Sequence, residues 1–138
     1  MTVVLICGGR NYGRVPMGCP PDQLAAYQAR ASKEAFILFE TLDQLHRERR
    51  FRKVIDGAAP GADRLAHYWA TKKGLPTKRF RADWRLHGRA AGPIRNMKML
   101  AEGQPDLVIA FPGGDGTADM IRQARAAGVE VLDFGRDD

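Results

Sequence analysis

Cysteine is scarce in this chain: two in 138 residues, Cys7 in an apolar run and Cys19 in a loop rich in proline and glycine. Two cysteines so placed form neither a disulfide framework nor a CxxC pair, and a reducing cytoplasm is the expected location. Long hydrophobic runs are missing too. The longest, Val3–Cys7 and Leu107–Phe111, fall far short of the ~20 apolar residues that cross a bilayer, so no membrane partner is expected. The start has no basic stretch followed by a long apolar run and a small-residue cleavage site, and does not read as a secretion signal. The sole serine, Ser32, lies in a helical pattern without a glycine elbow, which leaves a serine-hydrolase arrangement unsupported. His46, His67 and His87 are scattered without zinc-ligand spacing; no metal and no cofactor are expected. Neither a Walker loop nor GxGxxG occurs.

What is present describes an ordinary globular chain, with 44% hydrophobic and 28% charged residues. The length fits one domain over residues 1–138, able to bury roughly two-thirds of its unfolded surface. A formal charge of +6 permits nucleic acid, anionic lipid or a phosphorylated small molecule as partner and selects none of them.

Five runs of aliphatic residues alternate with helical patterns: Val3–Cys7, Val54–Ile55 extended from Phe51, Thr77–Phe80, Leu107–Phe111 and Val129–Phe134. Val3–Cys7 is apolar at every position, as a strand covered on both faces must be. The first helix begins near Pro20–Pro21–Asp22 and carries Leu24, Tyr27, Ala31, Ala35, Leu38, Leu42 and Leu45 on one face, with Phe36 and Phe39 widening it. Gly61–Lys73, Gly92–Glu102 and Gly116–Ala127 read as three more helices, each followed by glycine. This alternation predicts an α/β fold: a Rossmann-like three-layer sandwich around a mostly parallel five-stranded sheet, with ligands received at the carboxyl ends of its strands.

Three glycine loops fall there. Gly8–Gly9–Arg10 follows the first strand; Gly57 to Asp63, with Gly61, follows the second; Pro112–Gly113–Gly114–Asp115–Gly116–Thr117 follows the fourth. Glycine admits positive φ and close approach of an anion to backbone N–H groups at a helix start. Any α/β protein needs tight turns at strand ends, but PGGDGT has more glycine than a turn requires, with Thr117 as a hydroxyl donor. The rim is therefore expected to receive a phosphate. Arg95, early in a helix, suits that phosphate through its fixed charge and forked donors. Arg10 either closes over the same group or covers its own loop. Asp63 either accepts from a ribose hydroxyl or caps a helix. Trp84, with His87 nearby, offers a stacking platform or packs at the rim.

Taken together, Gly8–Gly9–Arg10, the GAAPGAD stretch at 57–63, Ala82–Asp83–Trp84 with His87–Gly88, Ala91–Gly92 with Arg95–Asn96, and Ala110–Phe111–Pro112–Gly113–Gly114 with Gly116–Thr117 resemble the YspA/YpsA-related branch of the SLOG superfamily. SLOG includes the Lonely Guy cytokinin-activating enzymes and the DNA-processing protein DprA. The resemblance implies binding or sensing of a nucleotide or nucleotide-derived, ADP-ribose-like ligand, and its pairing habit, together with the amphipathic first helix, implies a homodimer. Lonely Guy enzymes cleave nucleoside 5′-monophosphates with an arginine, matched by Arg95, and a glutamate closing PGGxGTxxE. Here Met120 stands in the glutamate's place. A thioether cannot activate water or stabilise an oxocarbenium-like centre. An N-glycosidase reading thus needs a substitute carboxylate, Asp115 or Asp119.

The DprA kinship raises a third reading, a DNA-associated protein. Arg47, Arg49, Arg50, Arg52 and Lys53, then Lys72, Lys73, Lys78, Arg79 and Arg81, form two basic clusters. Both are expected at helix ends on the rim opposite the glycine loops, where cations offset the macrodipole, and nucleic acid is not favoured. Residues 10–21 form a long connection, read as a lid carrying Arg10, Tyr12 and Arg14 or as disorder.

Overall fold

A strand that is apolar throughout needs cover on both faces, and Thr2–Cys7 (β1) has it. In the computed structural model, which describes residues 1–135, β1 lies at the centre of a five-stranded parallel sheet. The other strands are Phe51–Asp56 (β2), Thr77–Arg79 (β3), Leu107–Ala110 (β4) and Glu130–Asp133 (β5), in the order β3-β2-β1-β4-β5. Val4 and Ile6 face one layer with Val54, Leu107 and Ile109; Val3, Leu5 and Cys7 face the other with Ile55, Val108 and Ala110. This two-residue alternation of faces puts a separate apolar core on each side.

The first core is closed by Leu24–Arg49 (α1) and Ala62–Lys72 (α2), through Leu38, Leu42, Ala66, Trp69 and Ala70. Trp69 donates its indole N–H to Asp43 at 2.9 Å, joining α2 to α1. The second is closed by Ala91–Gly103 (α4) and Asp115–Ala126 (α5), through Met99, Met120 and Ala124. A four-residue helix, Trp84–His87 (α3), precedes α4. The expected three-layer sandwich is therefore present, with every strand pair parallel. Among the described residues no helix is long and apolar enough to cross a membrane.

Three details differ from the sequence reading. α3 was not expected, since four residues show no periodicity; its signal is the cap Asp83, which accepts from Leu86 N–H at 3.0 Å. Phe36 does not widen the buried face and is 64% exposed, because two residues from Leu38 it is turned by about 200°. Leu24 is also exposed: a helix of 26 residues runs about 39 Å, whereas the six-residue β1 spans about 20 Å, and the first half of α1 overhangs the sheet.

Leu42, fully buried between α1 and β1, is the sharpest test of this packing. Leu42→Ala is expected to lower unfolding stability by about 3 kcal/mol. Urea denaturation measures it, and a loss below about 1 kcal/mol contradicts the layer assignment.

Candidate functional site

Chain direction sets the position of the site. From β1 the chain leaves toward α1 on one face, and from the adjacent β4 toward α5 on the other. Loops that part in this way open a crevice at the carboxyl ends of the two strands. A cleft of about 330 Å³ lies there, lined by Gly8, Gly9 and Arg10 after β1, Asp63 on α2, Arg95 and Asn96 on α4, and Gly114 to Thr117 at the start of α5. Cys7, Met99 and Met120 form an apolar floor.

The glycines act mostly through close packing. Gly9 N–H donates to Pro112 carbonyl at 2.9 Å, and Gly9 carbonyl accepts from Ala62 N–H at 3.1 Å. A Cβ on Gly61, whose φ is +79°, would lie 2.2 Å from Gly9 carbonyl oxygen; one on Gly113 would lie 2.2 Å from Thr117 Oγ1 and 2.7 Å from Gly9 nitrogen; one on Gly8 would lie 2.6 Å from Ala62 Cβ. Gly114 and Gly116 have open space where a Cβ would go. No side chain caps α5, so the N–H groups of Asp115, Gly116 and Thr117 have no carbonyl partner within the helix and face the cleft end.

Arg95 is anchored. Its Nη1 donates to Gly57 carbonyl at 2.6 Å and its Nε to Asn96 Oδ1 at 3.0 Å. Burial holds its pKa below the usual guanidinium value, and the nearby charge of Arg10 acts in the same direction, against the pull of Asp63. Asn96, itself buried, donates from Nδ2 to Gly116 carbonyl and to Asp119, which ties α4 to α5. Burial pushes the Cys7 thiol far up, so it stays neutral.

Asp63 is buried and accepts from Gly57 N–H at 3.1 Å and Ala59 N–H at 3.2 Å. It thus holds the loop after β2 in shape. Beside it Asp56, at the end of β2 and fully buried, accepts from Ala58 N–H and from Arg79 Nε. That contact keeps Ala58 at φ +58°, a left-handed conformation that a non-glycine residue adopts only under constraint.

Of the residues singled out in the sequence, Gly8, Gly9, Arg10, Asp63, Arg95, Asn96, Gly114, Asp115, Gly116 and Thr117 line the cleft. Pro112, Gly113 and Gly61 shape it from behind through the contacts above, and Gly57 lines an adjoining hollow. Trp84 lies outside the cleft, half exposed, with the guanidinium of Arg10 over its ring at 5.2 Å. Asp119 is turned away and accepts from Asn96, Arg122 and Gln123. His87 lines neither the cleft nor that hollow. The connection after β1 is held down at its start: Tyr12 is buried against Phe111, and Gly13 N–H donates to Glu34. Arg14 borders a different cavity, between α1 and α2.

One expectation is corrected. The second basic cluster is split, because β3 ends at Arg79 and residues beyond a parallel strand emerge on the ligand rim. Arg79 pairs with Asp56 at 3.0 Å, and Arg81 lines the adjoining hollow. Arg81 and Asp56 were missed as site residues, although each stands at or just past the carboxyl end of a strand, which is the signal that finds them.

Asp63 couples pH to this rim. Burial first, and then the Asp56 charge, raise its pKa from 3.8 to about 7, against the two N–H donors and Arg95. A carboxyl with a higher pKa folded than unfolded holds its proton more tightly in the folded state, so its contribution to stability falls as pH rises from 3.8 to about 7 and is level above that. Asp63→Asn keeps an oxygen acceptor and abolishes the titration. Its stability relative to the parent is expected to climb across that window, in urea midpoints taken at several pH values; parallel profiles contradict the assignment.

The YspA, cpYpsA-related SLOG family model matches residues 2–87, which include the loops after β1 and β2 and the Trp84 segment. The chain is also 38% identical over 117 residues to the "Gene 61 protein" of Mycobacterium phage D29, an alignment covering 78% of this chain and 91% of that protein. With more than half of its length matched and its first two glycine loops inside the match, the chain belongs to the YspA, cpYpsA-related SLOG family.

Proposed function

We propose that this chain binds a nucleotide or nucleotide-derived, ADP-ribose-like ligand at the cleft between β1 and β4, and holds it without cleaving it. Family membership supports a nucleotide-related function in general. The phosphate end of the ligand fits the open N–H groups of α5 and the Thr117 hydroxyl, with the anchored Arg95 guanidinium opposite.

Met120 carries the distinction between holding and cleaving. Rupture of an N-glycosidic bond draws on a carboxylate at the reacting centre. The cleft floor offers a buried thioether there. Asp119 does not line the cleft and is engaged by Asn96, Arg122 and Gln123, Asp115 sits exposed at its mouth, and the buried Asp63 in its wall is engaged by the N–H groups of Gly57 and Ala59. The nucleic-acid reading is weaker, since the second basic cluster is divided between the two rims, with Arg79 paired to Asp56 and Arg81 on the ligand rim, while Arg49 and Lys73 on the far rim pair with Glu130 and Asp43. A homodimer through α1 draws support from the exposed apolar side chains Leu24, Phe36 and Ile37, and light scattering reads its mass directly.

The deciding experiment follows thermal stability and release of free base together, in the presence of AMP, NAD or ADP-ribose. Stabilisation without base release is expected, about 2.7 kcal/mol at a hundredfold excess over Kd. Arg95→Ala is expected to weaken binding about tenfold or more. Base release that disappears in Arg95→Ala returns the chain to the hydrolases. No stabilisation by any of the three, with DNA binding that falls steeply with salt, overturns both readings.

A further inference from the structure

The cationic wall does not end at the cleft. Beyond Arg95 lies a second hollow of about 240 Å³, formed by the loop after β2 and the residues after β3, with Arg10, Arg81, Trp84 and Arg95 in its walls. Arg10, Ala59 and Arg95 border both spaces, whereas Arg81 borders only the second.

The charges around this hollow are unbalanced. Arg79 is neutralised by the buried Asp56. Among the described residues, Arg10, Arg81 and Arg95 form no ion pair with any carboxylate. Arg10 is held over the Trp84 ring, a contact that fixes direction and leaves its N–H donors unspent. Arg95 uses Nη1 and Nε on Gly57 and Asn96, and its Nη2 has no protein acceptor among the described residues. The wall is also built to stay open: a Cβ on Gly57 would lie 2.8 Å from Arg95 Nη1, and the strained turn at Ala58 is pinned by Asp56. Three like charges gathered in a concave space raise the local potential for anions. One phosphate on the glycine loops meets Arg95 and Arg10 and leaves Arg81 unmatched.

We propose that this hollow is a second anion subsite, and that the ligand class is a nucleotide carrying two phosphoryl groups, one on the glycine loops and one held by Arg81 and Arg10, with Arg95 between them. The inference rests on the nucleotide reading above and adds a requirement that a mononucleotide does not meet.

Calorimetric titration at one fixed salt concentration with AMP, ADP and adenosine 3′,5′-bisphosphate tests it. At least one bisphosphorylated probe is expected to bind about tenfold or more tightly than AMP, the scale of one charge-assisted contact. Arg81→Ala should bring that ratio close to one, and Arg81→Lys should keep part of it. Arg85→Ala removes an equal charge from α3 without touching either space, and should leave the ratio intact, which separates a local contact from the general field. Arg81 is exposed, so its variants should unfold with the parent's midpoint. AMP binding without preference for two phosphates, or a ratio lost equally in Arg81→Ala and Arg85→Ala, overturns the subsite and leaves the nucleotide reading standing. No binding of AMP or of either bisphosphate overturns both.

Discussion

The backbone of Gly9 touches two neighbouring loops at once. Its N–H donates to Pro112 after β4 and its carbonyl accepts from Ala62 at the start of α2. Contact at that range requires that Gly61 and Gly113 have no side chain, since a Cβ on either would fall within 2.7 Å of the Gly9 backbone. Three chain segments that leave the sheet in different directions are joined there. The cleft, the aim of α5 and the seat of Arg95 on Gly57 all depend on that junction. The first role of glycine at this rim is therefore to admit the neighbouring loop. Only Gly114 and Gly116, with open space where a Cβ would stand, leave room for something that is not protein.

Electrostatics at the rim follows from the same compactness. Two carboxylates, Asp56 and Asp63, are buried side by side at the end of β2 and the start of α2. Both have their pKa raised by burial, yet each is retained because it ties loop N–H groups that would otherwise be orphaned. Arg79 satisfies Asp56 directly. Asp63 keeps no arginine in contact, and Arg95 turns to a carbonyl and an amide instead. A guanidinium held by neutral acceptors keeps its full charge available to a ligand, unlike one in an ion pair.

Much of this was legible in the sequence, for identifiable reasons. An all-apolar β1 needs cover on both faces, and it has a core on each; its central place in the strand order comes from the structure. The alternation of strands with long helices determined the layers, and Gly8, Gly113 and Asp63 stood at strand ends where an α/β sheet receives ligands. Other features required the third dimension. The four residues of α3 are too few for periodicity. Arg81 belongs by sequence to a basic run and by topology to the ligand rim, because β3 is only three residues long and the chain has already crossed the sheet when it reaches position 81. Sequence spacing also could not show that Trp84 carries Arg10 on its face.

The excess positive charge shows why position outweighs count. A net +6 gives a weak field if it is spread over the surface and screened within about 8 Å at physiological salt. On the far rim, Arg49 and Lys73 are matched by Glu130 and Asp43. At the ligand rim, Arg10 and Arg95 border both concavities and Arg81 borders the second, none with a carboxylate partner, and the first has an apolar floor of Cys7, Met99 and Met120. Such a floor lowers the local dielectric and strengthens every charge contact made above it. The floor itself moves no proton, since the Cys7 thiol stays neutral and Met120 has nothing to donate or accept strongly; the titratable group of the cleft is Asp63 in its wall, held by the N–H groups of Gly57 and Ala59. Cations without a carboxylate partner and a buried carboxyl whose pKa is raised to about 7 therefore share one wall, and the charge that wall presents changes with the protonation of Asp63.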